Sequence, residues 1–127
     1  MYELYLPYPP TVNSYYVKTQ RGVFISTKGR KFRKDVAQAV NEQLPDVYIT
    51  HKCLIEIVLY MPDKRKRDID NCLKALLDAI TKCGLWHDDV LIDQIFLYRG
   101  QYMSPMGSTF IRISEAGPLI PVGMTDF

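Results

Sequence analysis

A chain of 127 residues, 47% of them hydrophobic, is long enough to close one hydrophobic core and too short for two. No run approaches the roughly 18 apolar residues of a membrane span, and the opening Met1-Tyr2-Glu3-Leu4 lacks the basic-then-apolar layout of a secretion signal, so a soluble cytoplasmic protein without a membrane partner is expected. The charge of +2 at pH 7, 16 basic against 14 acidic residues, does not by itself imply a polyanionic partner, and Cys53, Cys72 and Cys83 form no C-x-x-C pair, which argues for small core residues and against disulfides or a zinc knuckle.

In chain order, residues 2–6 alternate as a strand does until Pro7, Pro9 and Pro10 force an extended loop. Gly22 to Ser26 has the β-branched and aromatic content of a second short strand. A helix follows, with Thr27 as N-cap, Phe32, Val36, Val40 and Leu44 recurring every four residues, and Pro45 as its stop. Its opposite face is basic: residues 18–34 hold Lys18, Arg21, Lys28, Arg30, Lys31, Arg33 and Lys34 with no acid among them. His51 to Tyr60 reads as a central strand covered on both sides, since Ile55, Ile57 and Leu59 occupy one face and Leu54, Val58 and Tyr60 the other.

Met61-Pro62 ends that strand, and Lys64, Arg65, Lys66 and Arg67 fill the loop that follows. A second helix is predicted from about Ile69 to Cys83, with Leu73, Leu76, Leu77 and Ile80 buried and Gly84 as its C-terminal cap. Strands near 91–99 and 109–114 complete an α/β (α+β) fold: a single domain over residues 1–115, a mixed β-sheet packed with two main helices, and an irregular tail over 116–127. After residue 84 acids outnumber bases, so the molecule is expected to be polarised, with a basic side suited to phosphates.

The chemistry concentrates in Asp68-Ile69-Asp70-Asn71-Cys72-Leu73-Lys74, at the junction of the basic loop and the second helix, and in Asp88-Asp89 just past that helix. If the chain folds back after Gly84, Asp89 approaches Asp68 and Asp70, and carboxylates gathered in this way call for a cation between them. Oxygen donors without a sulfur or imidazole cluster suit magnesium, which serves phosphodiester hydrolysis. Lys74, four residues after Asp70, projects from the same helical face and would orient the nucleophile or neutralise developing charge. The basic loop Lys64 to Arg67 would clamp phosphate beside the metal.

Plainer readings exist for each feature. An Asp at a helix start is a common N-cap, Asp70, Lys74 and Asp78 at i, i+4 and i+8 would make a surface ion-pair ladder, and Asp88-Asp89 would be a turn. Tyr15 and Tyr16 beside Asn13 would stack on bases or simply pack. His87 adjoins Asp88, but nothing completes a nucleophile triad around it, and Trp86 is expected to anchor its loop in the core.

The run Met61-Pro62-Asp63-Lys64-Arg65-Lys66-Arg67-Asp68-Ile69-Asp70-Asn71, then Lys74-Ala75, then Gly84-Leu85-Trp86-His87-Asp88-Asp89, resembles the signature of the RusA family of Holliday junction resolvases. Leu6-Pro7-Tyr8-Pro9-Pro10, Asn13 and Tyr15-Tyr16 resemble that family's amino-terminal proline-rich turn, and the resemblance covers roughly residues 3–114. It implies a homodimeric α/β crossover junction endodeoxyribonuclease that binds four-way junctions in branched DNA and makes paired nicks of the same polarity. Magnesium, with manganese as a substitute, would be held by Asp68, Asp70 and Asp89, with Lys74 catalytic and Asp88 a supporting acid. DNA contacts would come from Lys64, Arg65, Lys66, Arg67, Asn13, Tyr15, Tyr16, Lys31 and Arg33. His87 stands where the family usually has an apolar residue, and the tail after Glu115 is longer than the pattern leads one to expect.

Three other functions are consistent with the same residues: a metal-dependent nuclease of different substrate preference, a nucleic-acid-binding module that does not cut, and a small structural protein whose acids are helix caps. Substrate choice separates the first from a resolvase, the second predicts that replacing Asp70 leaves every function intact, and the third predicts only weak, salt-labile nucleic-acid contact at ~10⁻⁴–10⁻⁶ M.

Overall fold

A computed structural model describes residues 1–117. Four strands form a sheet in the order β1-β6-β4-β5, where β1 is Tyr2–Pro7, β4 Cys53–Tyr60, β5 Ile92–Arg99 and β6 Ser108–Glu115. β4 runs parallel to β5 and antiparallel to β6, and β6 antiparallel to β1, so the sheet is mixed as expected. The helices α2 (Thr27–Gln43) and α3 (Leu73–Cys83) supply its apolar cover. Leu4 and Leu6 of β1, Ile55, Ile57 and Leu59 of β4 and Ile111 and Ile113 of β6 are buried together with Phe32, Val36 and Val40 of α2 and Ala75, Leu76, Ala79 and Ile80 of α3. The other face of β4 departs from expectation. Leu54 is buried there, but Glu56, Val58 and Tyr60 are only partly covered, because both long helices lie on the opposite side.

Local chemistry explains the element ends. Ser26, one residue before the expected cap, accepts the Gly29 amide at 2.9 Å and starts α2. Gly29 itself is required by packing: a Cβ there would lie 2.5 Å from the Tyr15 carbonyl oxygen. α3 ends at Gly84, whose φ of 85° is the left-handed cap conformation that glycine adopts at no steric cost. Trp86 is buried and its indole N–H donates to Thr81 Oγ1 at 2.7 Å, so it does anchor the turn. Cys53 and Cys72 are buried and Cys83 half-buried, all three as free thiols.

The proline-rich loop contains more structure than expected. Thr11 caps a single helical turn, α1 (Val12–Tyr15), which leads into β2 (Tyr16–Thr19); β2 pairs antiparallel with β3 (Gly22–Ile25) as a ribbon separate from the main sheet. Four residues of strand are too few to show an alternation, and this is why β2 escapes the sequence pattern. The expected irregular tail falls, apart from Ala116 and Gly117, outside the described residues.

Candidate active site and nucleic-acid interface

The loop after β4 is braced at both ends. Arg99, at the end of β5, donates to the Arg67 carbonyl at 2.7 Å, and Asp63 accepts from the Arg65 amide at 2.9 Å and from the guanidinium groups of Arg65 and Arg67. Arg67 foremost, then the Arg65 amide, hold the Asp63 carboxyl well below the usual carboxylate range. Arg65 and Arg67 are thus tied into the loop, while Lys64 and Lys66 stay exposed.

The expected single helix over 69–83 is divided. Ile69–Cys72 forms a 3₁₀ turn and α3 begins at Leu73. Asp68 occupies the N-cap position of that turn and makes no capping hydrogen bond, so capping does not account for its carboxylate. Asp68, Asp70 and Lys74 are all exposed. The ion-pair ladder is not formed: Asp78 pairs with Arg33 at 2.8 Å, and the Lys74 ammonium sits 5.8 Å from the centre of the Tyr16 ring. Cys72, between the acids and the helix, is pushed up to about 11, chiefly by burial, and stays a neutral thiol.

Asp88 and Asp89 lie beyond the other end of α3. Asp88 does form a turn, its Oδ1 accepting the Val90 amide at 3.0 Å, and this contact foremost lowers its carboxyl below the usual range. Asp89 moves the other way, raised by hydrogen bonding with Asp88, by burial and by the charges of Asp88 and Asp78. Among the described residues no three His, Cys, Asp or Glu side chains converge to hold a metal, although Asp89 turns back along α3 far enough to feel the charge of Asp78. The donor set still fits magnesium, because Asp68 and Asp70 offer exposed carboxylate oxygens and the neighbouring thiol is neutral.

A cleft of about 470 Å³ opens beside Asp68, lined by Tyr8, Thr11, Lys66, Arg67, Asn71 and Cys72. It adjoins a second groove in which Pro9, Pro10, Lys28, Lys31 and Arg65 meet Tyr8 and Arg67. The two together make a basic channel that leads to Asp68. Tyr8 and Lys28 are not among the DNA contacts expected from sequence. The proline-rich turn was the available signal, since its fixed φ angles set Tyr8 against Met61, whose sulfur accepts the Tyr8 hydroxyl at 3.2 Å.

The residues proposed as DNA contacts divide on burial. Asn13 is exposed and Tyr16 half-buried beside Lys74, and Lys31 is exposed although paired with Asp35 at 2.7 Å. Tyr15 is fully buried and has no ring face to offer a base. Its hydroxyl donates to Asp78 and accepts from Arg33 Nε at 2.6 Å, so Tyr15 and Arg33 form a clamp between α2 and α3. His87 is exposed, with Nδ1 3.4 Å from the Tyr48 hydroxyl, and no nucleophile accompanies it.

Comparison with known proteins agrees with these motifs. A family model described as endodeoxyribonuclease RusA matches residues 7–114. A protein of Enterobacteria phage HK97 named crossover junction endodeoxyribonuclease rusA is 39% identical over 114 residues, 90% of this chain and 94% of its own length. The protein of that name from Enterobacteria phage 82 is 38% identical over 91 residues, 72% of this chain and 76% of its own length. An Escherichia coli relative with the same name is 37% identical over the same extent.

Proposed function

The chain belongs to the RusA family of endodeoxyribonucleases, and from that membership we propose that it is a crossover junction endodeoxyribonuclease, cutting four-way DNA junctions by metal-assisted phosphodiester hydrolysis. The observation that carries the reading is Asp68, exposed, making no capping hydrogen bond and lining the end of a basic channel, with exposed Asp70 two residues on. Asp68, Asp70 and Asp89 would hold magnesium, with Asp88 in support. The bound ion would polarise the scissile phosphoryl group and lower the pKa of a bound water.

The protein's own groups bring the strand to that point. Lys64 and Lys66 face solvent and meet backbone phosphates, while Arg65 and Arg67, fixed by Asp63, give the channel a rigid cationic wall. Lys74, next to Tyr16, donates to a phosphate oxygen and offsets charge as the P–O bond breaks. The division of the acids across α3 argues for a homodimer. In a two-fold pair that sets Asp68 and Asp70 of one protomer against the partner's Asp89, all three acids serve one ion, and two such sites match the two equivalent strands of a junction. The absence of any helix long and apolar enough to cross a membrane, among the described residues, is consistent with a cytoplasmic setting.

The test is cleavage of a labelled synthetic four-way junction beside a matched linear duplex, with magnesium or chelator. Wild type is expected to make paired, magnesium-dependent nicks in the junction alone, and Asp70→Asn to bind the junction without nicking it. Full cutting by that variant removes the metal-site assignment; binding by wild type without nicks makes the protein a recognition module.

A further inference from the structure

We infer that the β2–β3 ribbon is a wedge that receives an unstacked nucleobase at the branch point, with Phe24 and Val17 as its contact face. This rests on the junction-cutting reading above. As strands, β2 and β3 pair only with each other, and their register sets Val17 directly across from Phe24 on one face of the ribbon. These two side chains are 44% and 51% exposed, and Val23 on the opposite face is 59% exposed. Isolated exposed apolar residues are ordinary, but Phe24 and Val17 side by side on one face of an eight-residue ribbon, with Val23 exposed on the other, concentrate apolar side chains in solvent.

The base of the ribbon is rigid. The Tyr16 ring meets the buried Tyr15 ring edge-on at 4.8 Å, and the Ser26 amide donates to the Tyr15 carbonyl at 2.9 Å. An inserted side chain would therefore transmit force to the DNA without folding back.

Charge selects the partner. Lys18 and Arg21 lie on the ribbon, and no Asp or Glu occurs between Leu4 and Lys34. A second copy of this face would bring like charges together, whereas a polyanion is drawn to it. Position selects the part of the DNA. A cleft lined by Val12, Asn13, Tyr16, Lys18 and Val23 lies on the other face of the ribbon, whose first residue, Tyr16, carries Lys74 at 5.8 Å. Phe24 is one residue along the ribbon from the Tyr16–Ile25 pair, so a base held against it is near the end of the ribbon that adjoins the lysine assigned to the scissile phosphate. An apolar side chain placed at a base step unstacks it, and an aromatic ring replaces the lost stacking. At a four-way crossover the stack is already interrupted, so unstacking is easiest where this enzyme must cut.

The test places 2-aminopurine beside the crossover of a four-way junction and follows its fluorescence, with calcium replacing magnesium, for wild type, Phe24→Ala and Phe24→Trp. Wild type is expected to raise the signal on binding, as an unstacked base does. Phe24→Ala is expected to lose most of the rise and to bind the junction about 5- to 10-fold more weakly, the scale of one lost base–aromatic stack, with duplex binding unchanged; Phe24→Trp is expected to restore both. A full fluorescence rise with Phe24→Ala overturns the wedge, as does wild-type binding without a rise. A dimer that becomes monomeric on sedimentation of Phe24→Ala overturns it in favour of self-contact. Wild-type nicking of the same junction in magnesium is measured alongside. Its absence brings down the functional reading itself, which is a different result from intact nicking with no fluorescence change.

Discussion

Asp78, Tyr15 and Arg33 show what single side chains contribute to the arrangement. Asp78 accepts from Tyr15 on α1 and Arg33 on α2, which fixes α3 against both and thereby sets the direction in which Lys74 projects. Burial first, then hydrogen bonding to Asp78, raises the Tyr15 hydroxyl above its usual range, so it remains a donor at all physiological pH. Asp78→Asn is expected to lower stability by about 1–2 kcal/mol, the scale for a hydrogen bond to a charged group at a partly exposed site, read as a lower urea midpoint. Junction affinity of the folded variant should not change. Unchanged stability with lost affinity would return Arg33 to the DNA-contact role that its sequence position suggested.

At the scale of elements, the loop after β4 and the 3₁₀ turn matter most. Periodicity located α2, β4, α3 and β6 because each carries an apolar stripe that the core demands, whereas β5 packs only Ile92 and Leu97 against it. It could not locate β2, nor the change from 3₁₀ to α geometry at Leu73, because neither alters which residues are apolar. The four consecutive cations of the loop look equivalent in sequence, yet Asp63 engages Arg65 and Arg67 and leaves Lys64 and Lys66 outward. Lys64→Ala with Lys66→Ala is therefore expected to lower the slope of log affinity against log salt by about 2, close to one per phosphate contact, while nicking at saturating protein persists. An unchanged slope would show that the loop does not meet DNA.

For the whole molecule, the decisive fact is that α3 holds Asp68 and Asp70 at one end and Asp88 and Asp89 past the other. A site shared across a two-fold axis makes a specific prediction by mixing. In the proposed dimer, Asp70→Asn and Asp89→Asn homodimers are each expected to be inactive, whereas their heterodimer would contain one protomer's intact Asp70 facing an intact Asp89 of the other. Subunit exchange should restore magnesium-dependent nicking at one strand of the junction. No recovery on exchange, with heterodimers verified by mass spectrometry, would mean that each chain gathers its own acids on binding DNA.

The amino-acid sequence by itself determined the mixed sheet with two long helices, because buried stripes with periods of two and near four are local consequences of where apolar residues fall. It also carried the motifs containing Asp68, Asp70, Lys74 and Asp89, on whose spacing the family resemblance and the proposed site rest. Only the tertiary structure decided which of these residues meet. Distance along a chain does not report distance across a helix, so the folding back of Asp89 could be neither read nor excluded from spacing. Burial separated Tyr15 from Tyr16 and Arg33 from Lys31 for the same reason: whether a ring or a guanidinium faces solvent depends on what another element places over it.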